Sequence, residues 1–217
     1  MRIPFEKTLR QPPPRRIGIY SQMAILFSGF MQQMGWLFVG MGMIFVVIFL
    51  PFSGIIGAQD AAFPKFVAFV LIFPIAGLFM VIPGLRKQAK GLDLLRNGEF
   101  TRGAIKSKEP TGSTIKINNR SYPVMKFTFE FEYQGSKYEA VCRTHLTELL
   151  EDEEQETILF YPTKPEFNIV YDGISNSPGM DPMGNFLPVS WTKAWVFLGP
   201  AVGIFMTAIA LRLFFLI

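Results

Sequence analysis

Tyr122-Pro-Val-Met-Lys-Phe-Thr-Phe-Glu-Phe-Glu-Tyr133, followed by Gln134-Gly-Ser-Lys137 and Tyr138-Glu-Ala-Val-Cys-Arg143, is the stretch whose reading decides the fold. Phe127, Phe129, Phe131 and Tyr133 alternate with Lys126, Thr128, Glu130 and Glu132. Strict period two marks a strand with one face on a core and the other in water. A two-residue turn at Gly135-Ser136, with glycine at its first central position, predicts the pairs Tyr133 with Tyr138, Phe131 with Ala140 and Phe129 with Cys142. All six fall on the apolar face, so turn length and alternation agree. The same register sets Glu132 opposite Glu139, a mildly unfavourable pair.

This hairpin lies in a polar insert between apolar runs. Half of the 217 residues are hydrophobic and 23 are Phe, bunched into segments rather than spread along the chain. Net charge is +4, unevenly distributed. Asp93 to Asp172 holds 10 basic and 14 acidic residues, a net of −4, which leaves +8 for the rest. Basic charge flanking apolar segments argues against nucleic-acid binding. The single cysteine, Cys142, excludes an intrachain disulfide.

No charged residue occurs from Ile17 to Gln59, a run of 43. One helix of that length would be about 64 Å, twice the hydrocarbon thickness, so a break is expected at Gln32-Gln33. Gly35 to Ile56 then makes a first span, with Tyr20 to Met31 as a helix along the interface. Phe66 to Leu85 makes a second span, kinked at Pro74 and ended by Pro83-Gly84. Trp191 to the C-terminus makes a third. Three spans are expected.

Flanking cations set the orientation. Arg2, Lys7, Arg10, Arg15 and Arg16 precede the first span, and Arg86, Lys87 and Lys90 follow the second. The N-terminus and insert are therefore expected in the cytoplasm and the C-terminus across the membrane. Trp36, Trp191 and Trp195 would line the cytoplasmic interface. Arg10, Arg15, Arg16, Arg86, Lys87 and Lys90 read as membrane-surface residues, able to touch anionic lipid. The Gln11-Pro12-Pro13-Pro14 tail reads as extended and mobile, a topology-setting anchor rather than a cleaved leader.

Segment by segment, residues 1–33 read as a basic cytoplasmic tail and interfacial helix, and 34–88 as a helical hairpin of two spans. Residues 89–173 read as an antiparallel β-domain, 174–190 as a linker loop and 191–217 as the third span. Within the β-domain, Asn97-Gly98 stops a helix. Strands follow at Glu99–Lys106 and Thr114–Ile117, separated by a turn at Pro110-Thr-Gly-Ser113. Thr144 to Thr147 has hydroxyls placed to cap a short helical turn through Leu150. Thr157–Tyr161 and Phe167–Tyr171 complete six short strands, a small antiparallel barrel or sandwich. The fold class is thus α plus β in a membrane protein.

Leu95-Arg-Asn-Gly-Glu-Phe-Thr-Arg-Gly-Ala-Ile-Lys106, the Phe/Tyr-rich hairpin and Phe160-Tyr-Pro-Thr-Lys-Pro165 resemble the bacterial membrane family catalogued as domain of unknown function 3592. Gly98, Gly103, Tyr133, Tyr138, Tyr161, Pro162 and Pro165 match its turn signatures in kind. The resemblance covers about 80 residues and implies an architecture with flanking membrane helices, and no activity. Glu151 to Glu156, where that family usually has a glycine turn, departs from it.

Chemistry is sparse. Cys142 and His145, the lone histidine, stand three apart, which on a strand sets them on opposite faces. A zinc site needs four ligands and a Cys–His dyad needs contact and an orienting group; a buried cysteine and a loop histidine is the stronger reading. The acidic run lacks the spacing of a calcium loop and reads as a solvated turn that blunts a sheet edge. The first two spans carry no ionisable residue of the kind that lines transport paths. Gly199, Gly203 and Thr207 form a small-residue stripe suited to close helix contact, expected within the chain, with a homo-oligomer as the other reading. Catalytic residues, cofactors and metals are not expected. The function expected is a non-enzymatic multi-pass protein of the inner (plasma) membrane whose β-domain scaffolds or binds a protein partner. An accessory subunit of a channel or transporter is the alternative, and the other partner is the lipid bilayer itself.

Overall fold

The computed structural model describes residues 11–49, 63–117, 119–150, 155–181 and 184–216. Its helices are α1 (Ile19–Phe27), α2 (Phe30–Phe49), α3 (Phe63–Asn97) and α4 (Trp191–Leu216). Its strands are β1 (Glu99–Ile117), β2 (Arg120–Tyr133), β3 (Ser136–Thr144), β4 (Gln155–Tyr161) and β5 (Lys164–Val170). Two compact units emerge: Met1–Gln22 with Lys90–Pro188, and Met23–Ala89 with Val189–Ile217. Arg10 and residues 151–154 of the acidic run lie outside the described residues.

In the first unit the strands form one antiparallel sheet in the order β3-β2-β1-β4-β5. Three strands joined by hairpins, with the fourth returning beside the first, is a Greek key. The sheet is nearly closed, with Asn168 Nδ2 of β5 donating to Glu139 O of β3 at 3.1 Å. Phe127, Phe129, Phe131, Ala140, Cys142, Leu150, Ile158, Phe160 and Val170 fill the interior. Each wholly buried phenylalanine stabilises by about 1.5–3 kcal/mol. Tyr133 packs its ring 4.8 Å from Phe160, and Tyr138 stacks on Phe131 at 5.7 Å.

Strand number and register both depart from the sequence expectation. There are five strands because Pro110–Ser113 is a register shift inside one long β1 and not a turn: Pro110 pairs with Met125 and Thr114 with Pro123. Gly112 takes a left-handed φ of 74° there, which a glycine adopts without strain. The β2–β3 turn is Gln134-Gly135, with φ of 51° and 75°. Positive φ at both central residues is the type I′ geometry that suits the twist of a hairpin. Tyr133 therefore pairs with Ser136, Phe131 with Tyr138, Phe129 with Ala140 and Phe127 with Cys142. The slip is two residues, so every side chain keeps its face. It also sets Glu132 opposite Lys137, and Glu130 opposite Glu139, where Lys106 bridges the two carboxylates and Lys137 also pairs with Glu130. Thr147–Leu149 is a single 3₁₀ turn with no side-chain cap; Thr144 Oγ1 instead accepts from Leu146 N at 3.0 Å.

Three helices, α2, α3 and α4, are long and apolar enough to cross a membrane. The break in the long uncharged run falls at Ser28-Gly29 and not at Gln32-Gln33. The glutamines continue α2, and Gln33 Nε2 reaches back to donate to Phe27 O, one of the carbonyls left open where α1 stops. It also donates to Phe197 O of α4 at 2.9 Å. Nor does Pro83-Gly84 end α3, which runs on to Asn97 with both prolines inside it. The Pro74 ring and Gly84 lie in the contact with α2, against Gly42 and Gln32.

That contact is built on glycines. A Cβ on Gly35 would meet Val81 Cγ2 at 2.7 Å and Gly77 O at 2.8 Å; one on Gly77 would meet Gly35 O at 2.6 Å. Gly35 and Gly42 are seven apart, as are Gly77 and Gly84, so each helix presents one small-residue seam. Gly199 and Gly203 behave oppositely. Nothing lies within 4 Å of a Cβ built on either, and Thr207 is exposed. The small-residue stripe of α4 therefore makes no close contact among the described residues. Val39, Trp36 and Ala201, together with Ile204 against Gly40, pack α4 on α2. Gly77→Leu is therefore expected to lower the thermal midpoint of the detergent-solubilised protein sharply, and Gly199→Leu to leave it within error of the parent.

Candidate functional site

A dense set of polar interactions joins the end of α3 to the barrel, inside the first unit. Gly98 alone separates α3 from β1. A helix ends with carbonyls that lack intrahelical donors, and here they meet a buried cation. Arg15, 2% exposed, donates from Nη1 to Leu95 O at 3.1 Å and to Gly98 O at 2.7 Å. Its Nε donates to Gln11 O at 2.7 Å, and its backbone N donates to Arg96 O at 2.7 Å. Gly98 N donates to Leu94 O at 2.8 Å. The guanidinium thus sits at the negative end of the helix dipole with three carbonyl acceptors. Burial lowers the Arg15 pKa and the charge of Glu99 opposes that; a guanidinium stays protonated under both.

Arg15 is thus not a membrane-surface residue, because its head group is consumed by α3. Nor is the segment from Gln11 loose: Gln11 Nε2 donates to Asn185 Oδ1 at 2.8 Å, and Ile17 is buried. Arg16, Arg86 and Lys87 are exposed. Gly98 has no room for a side chain, since a Cβ would stand 2.6 Å from Leu94 O and 3.1 Å from Phe160 O.

A second clasp lies on the face of α3 that Lys90, Asp93 and Asn97 share at helical spacing. Tyr161 OH donates to Asp93 Oδ2, and Asn97 Nδ2 donates to Asp93 Oδ1 at 2.7 Å. Phe167 stacks on Tyr161 at 5.6 Å, and Lys90 Nζ stands 4.2 Å above the Phe167 ring. Burial, then hydrogen bonding to the Asp93 carboxylate, pushes the Tyr161 pKa up to about 12. Pro162-Thr163 is the two-residue turn between paired Tyr161 and Lys164, and Pro165 O accepts from Asn168 Nδ2 at 2.9 Å. Leu94 and Leu95 lie wholly buried behind the clasp.

Elsewhere β1 changes partner at Gly103-Ala104, pairing with β4 before it and with β2 beyond. Past Pro110, β1 and β2 have no third strand among the described residues: the β4 pairing is described as far as Ala104 and β3 reaches Met125. In this ribbon every described side chain from Gly112 to Lys116 and from Asn119 to Pro123 is exposed.

Cys142 is buried against Gly173, and His145 lies past the end of β3. No group of three or more His, Cys, Asp or Glu side chains is spaced to hold a metal ion among the described residues. Glu156 was expected in a solvated turn, yet it is 1% exposed in β4, opposite Gly103. No family model, curated protein or solved structure matches this chain.

Two predictions test the junction. Arg15→Met removes the cap and leaves buried carbonyls unpaired, so unfolding free energy is expected to fall by about 2–3 kcal/mol in urea titrations. Because the folded Tyr161 pKa is raised, its stabilisation is complete below pH 10 and is lost as pH climbs towards about 12. The gap in stability between the parent and Tyr161→Phe is expected to close across that window, followed by circular dichroism.

Proposed function

We propose that this is a non-enzymatic integral protein of the inner (plasma) membrane whose β-unit, on the cytoplasmic side, binds a protein partner. The observation that carries the reading is the locked junction. Arg15, Asp93 and Tyr161 hold to the barrel the end of α3 that belongs to the first unit, with one intervening residue. A rigid joint suits a module that presents a surface; a flexible tether suits one that samples. The flanking cations support the cytoplasmic placement. The geometry of Cys142 and His145 supports a binding role, since one is packed in the core and the other lies off the strand.

A second reading, an accessory subunit of a channel or transporter, draws on the open stripe of Gly199 and Gly203 on α4. Crosslinking in native membranes followed by mild-detergent purification separates the two. A protein recovered with the full chain, and lost when Glu99–Asp172 is replaced by a flexible linker, is the expected result. Recovery of chaperones alone overturns the partner reading. A partner lost instead on Gly199→Leu, together with solute flux on reconstitution, favours the subunit.

A further inference from the structure

The β1–β2 ribbon beyond Pro110 has no role in the barrel or in the junction. Its pairs are Thr114 with Pro123, Ile115 with Tyr122, Lys116 with Ser121 and Ile117 with Arg120. Directly opposed residues share a face, so Ile115 and Tyr122 stand side by side, each 39% exposed. Lys116 and Arg120 make no ion pair among the described residues.

We propose that the Gly112–Pro123 ribbon docks on anionic headgroups of the bilayer in which the chain is anchored. Charge is the first argument. The ribbon carries Lys116 and Arg120 and no acid, a net of +2. The remainder of Asp93 to Asp172 has 8 basic and 14 acidic residues, a net of −6. The insert is thus an anionic body with one cationic projection, and an anionic surface repels the first while it attracts the second. The side-chain pair is the second argument: an exposed isoleucine beside a tyrosine, with Arg120 two residues along on the same face and Lys116 on the other, matches the layered chemistry of a headgroup interface. Tethering is the third. The β-unit is joined at both ends to helices long and apolar enough to cross a membrane, so the anchoring bilayer is present at high effective concentration. Strand addition by a peptide is disfavoured, because Pro110, Lys116 and the register shift between Pro110 and Thr114 interrupt this part of β1.

The test uses the full chain in lipid nanodiscs. Ser121→Cys, exposed at the ribbon, takes an environment-sensitive fluorophore while buried Cys142 stays unlabelled. A blue-shifted emission is expected in discs containing phosphatidylglycerol and not in pure phosphatidylcholine, fading as salt is raised. Replacing both Lys116 and Arg120 with Gln is expected to cut the ratio of docked to free ribbon roughly 30-fold. Both positions are exposed, so the far-ultraviolet dichroism should not change. Identical spectra in the two lipids overturn the proposal. So does a shift that needs a second copy in the disc, or one that needs anionic vesicles added outside it; these assign the ribbon to self-association or to an apposed bilayer.

Discussion

The end of α3 has to surrender its helical hydrogen bonds within one residue of a strand, and the first unit is arranged around that demand. A guanidinium suits the task because its fork can donate to several carbonyls at once, and burial costs it little protonation. Arg15 reaches Leu95 O and Gly98 O together, which requires the N-terminal segment to be threaded against the helix end. Gly98 follows from the same demand, since the carbonyls of Leu94 and Phe160 approach from both sides. The clasp of Asp93 with Tyr161 adds a restraint from the β4–β5 hairpin, so the strap and a strand pair close on one helical turn.

The second unit solves a different problem. Helices as apolar as α2, α3 and α4 would gain little from hydrophobic burial in a lipid phase, where association would rest on close van der Waals contact and polar links. Gly35 and Gly77 let two backbones approach until each would block a Cβ on the other. Proline inside α3 is tolerated there for a related reason: Gly42 of α2 leaves space for the Pro74 ring. Gln33 supplies the polar link, tying the end of α1 to α4 through two carbonyls.

How much of this was legible depends on the range of the physics involved. Alternation in Phe127 to Tyr133 specifies a face, and a slip of two residues cannot disturb it; the core was therefore readable while the register was not. The register hinged on Gln134 taking a φ of 51°, a cost for a side chain without the local hydrogen bonds that help Asn or Asp there. Pro110-Thr-Gly-Ser113 has the composition of a turn, and only the partner strand shows it to be a bulge. Arg15 and its two acceptors at the end of α3 are 80 or more residues apart, so no local pattern joins them. The glycines show the converse. The four-residue spacing of Gly199 and Gly203 points to a contact within the chain or with a second copy, and none is made among the described residues, whereas the seven-residue spacing in α2 and α3 was there to be counted.

The length of β1 is the remaining argument. A Greek-key barrel needs β1 to pair with β4 on one side and β2 on the other, which is complete by about Pro110, where β3 also ends. The chain continues for seven more residues and returns, although a two-stranded ribbon without a covering layer is marginal in water. Gly112, at a φ of 74°, eases the shift that lets the extension leave the barrel. Packing inside the barrel therefore does not account for the ribbon. What distinguishes it is a charge opposite to that of the body and a pair of apolar side chains turned to the outside, and both have their use at a surface the barrel itself does not supply.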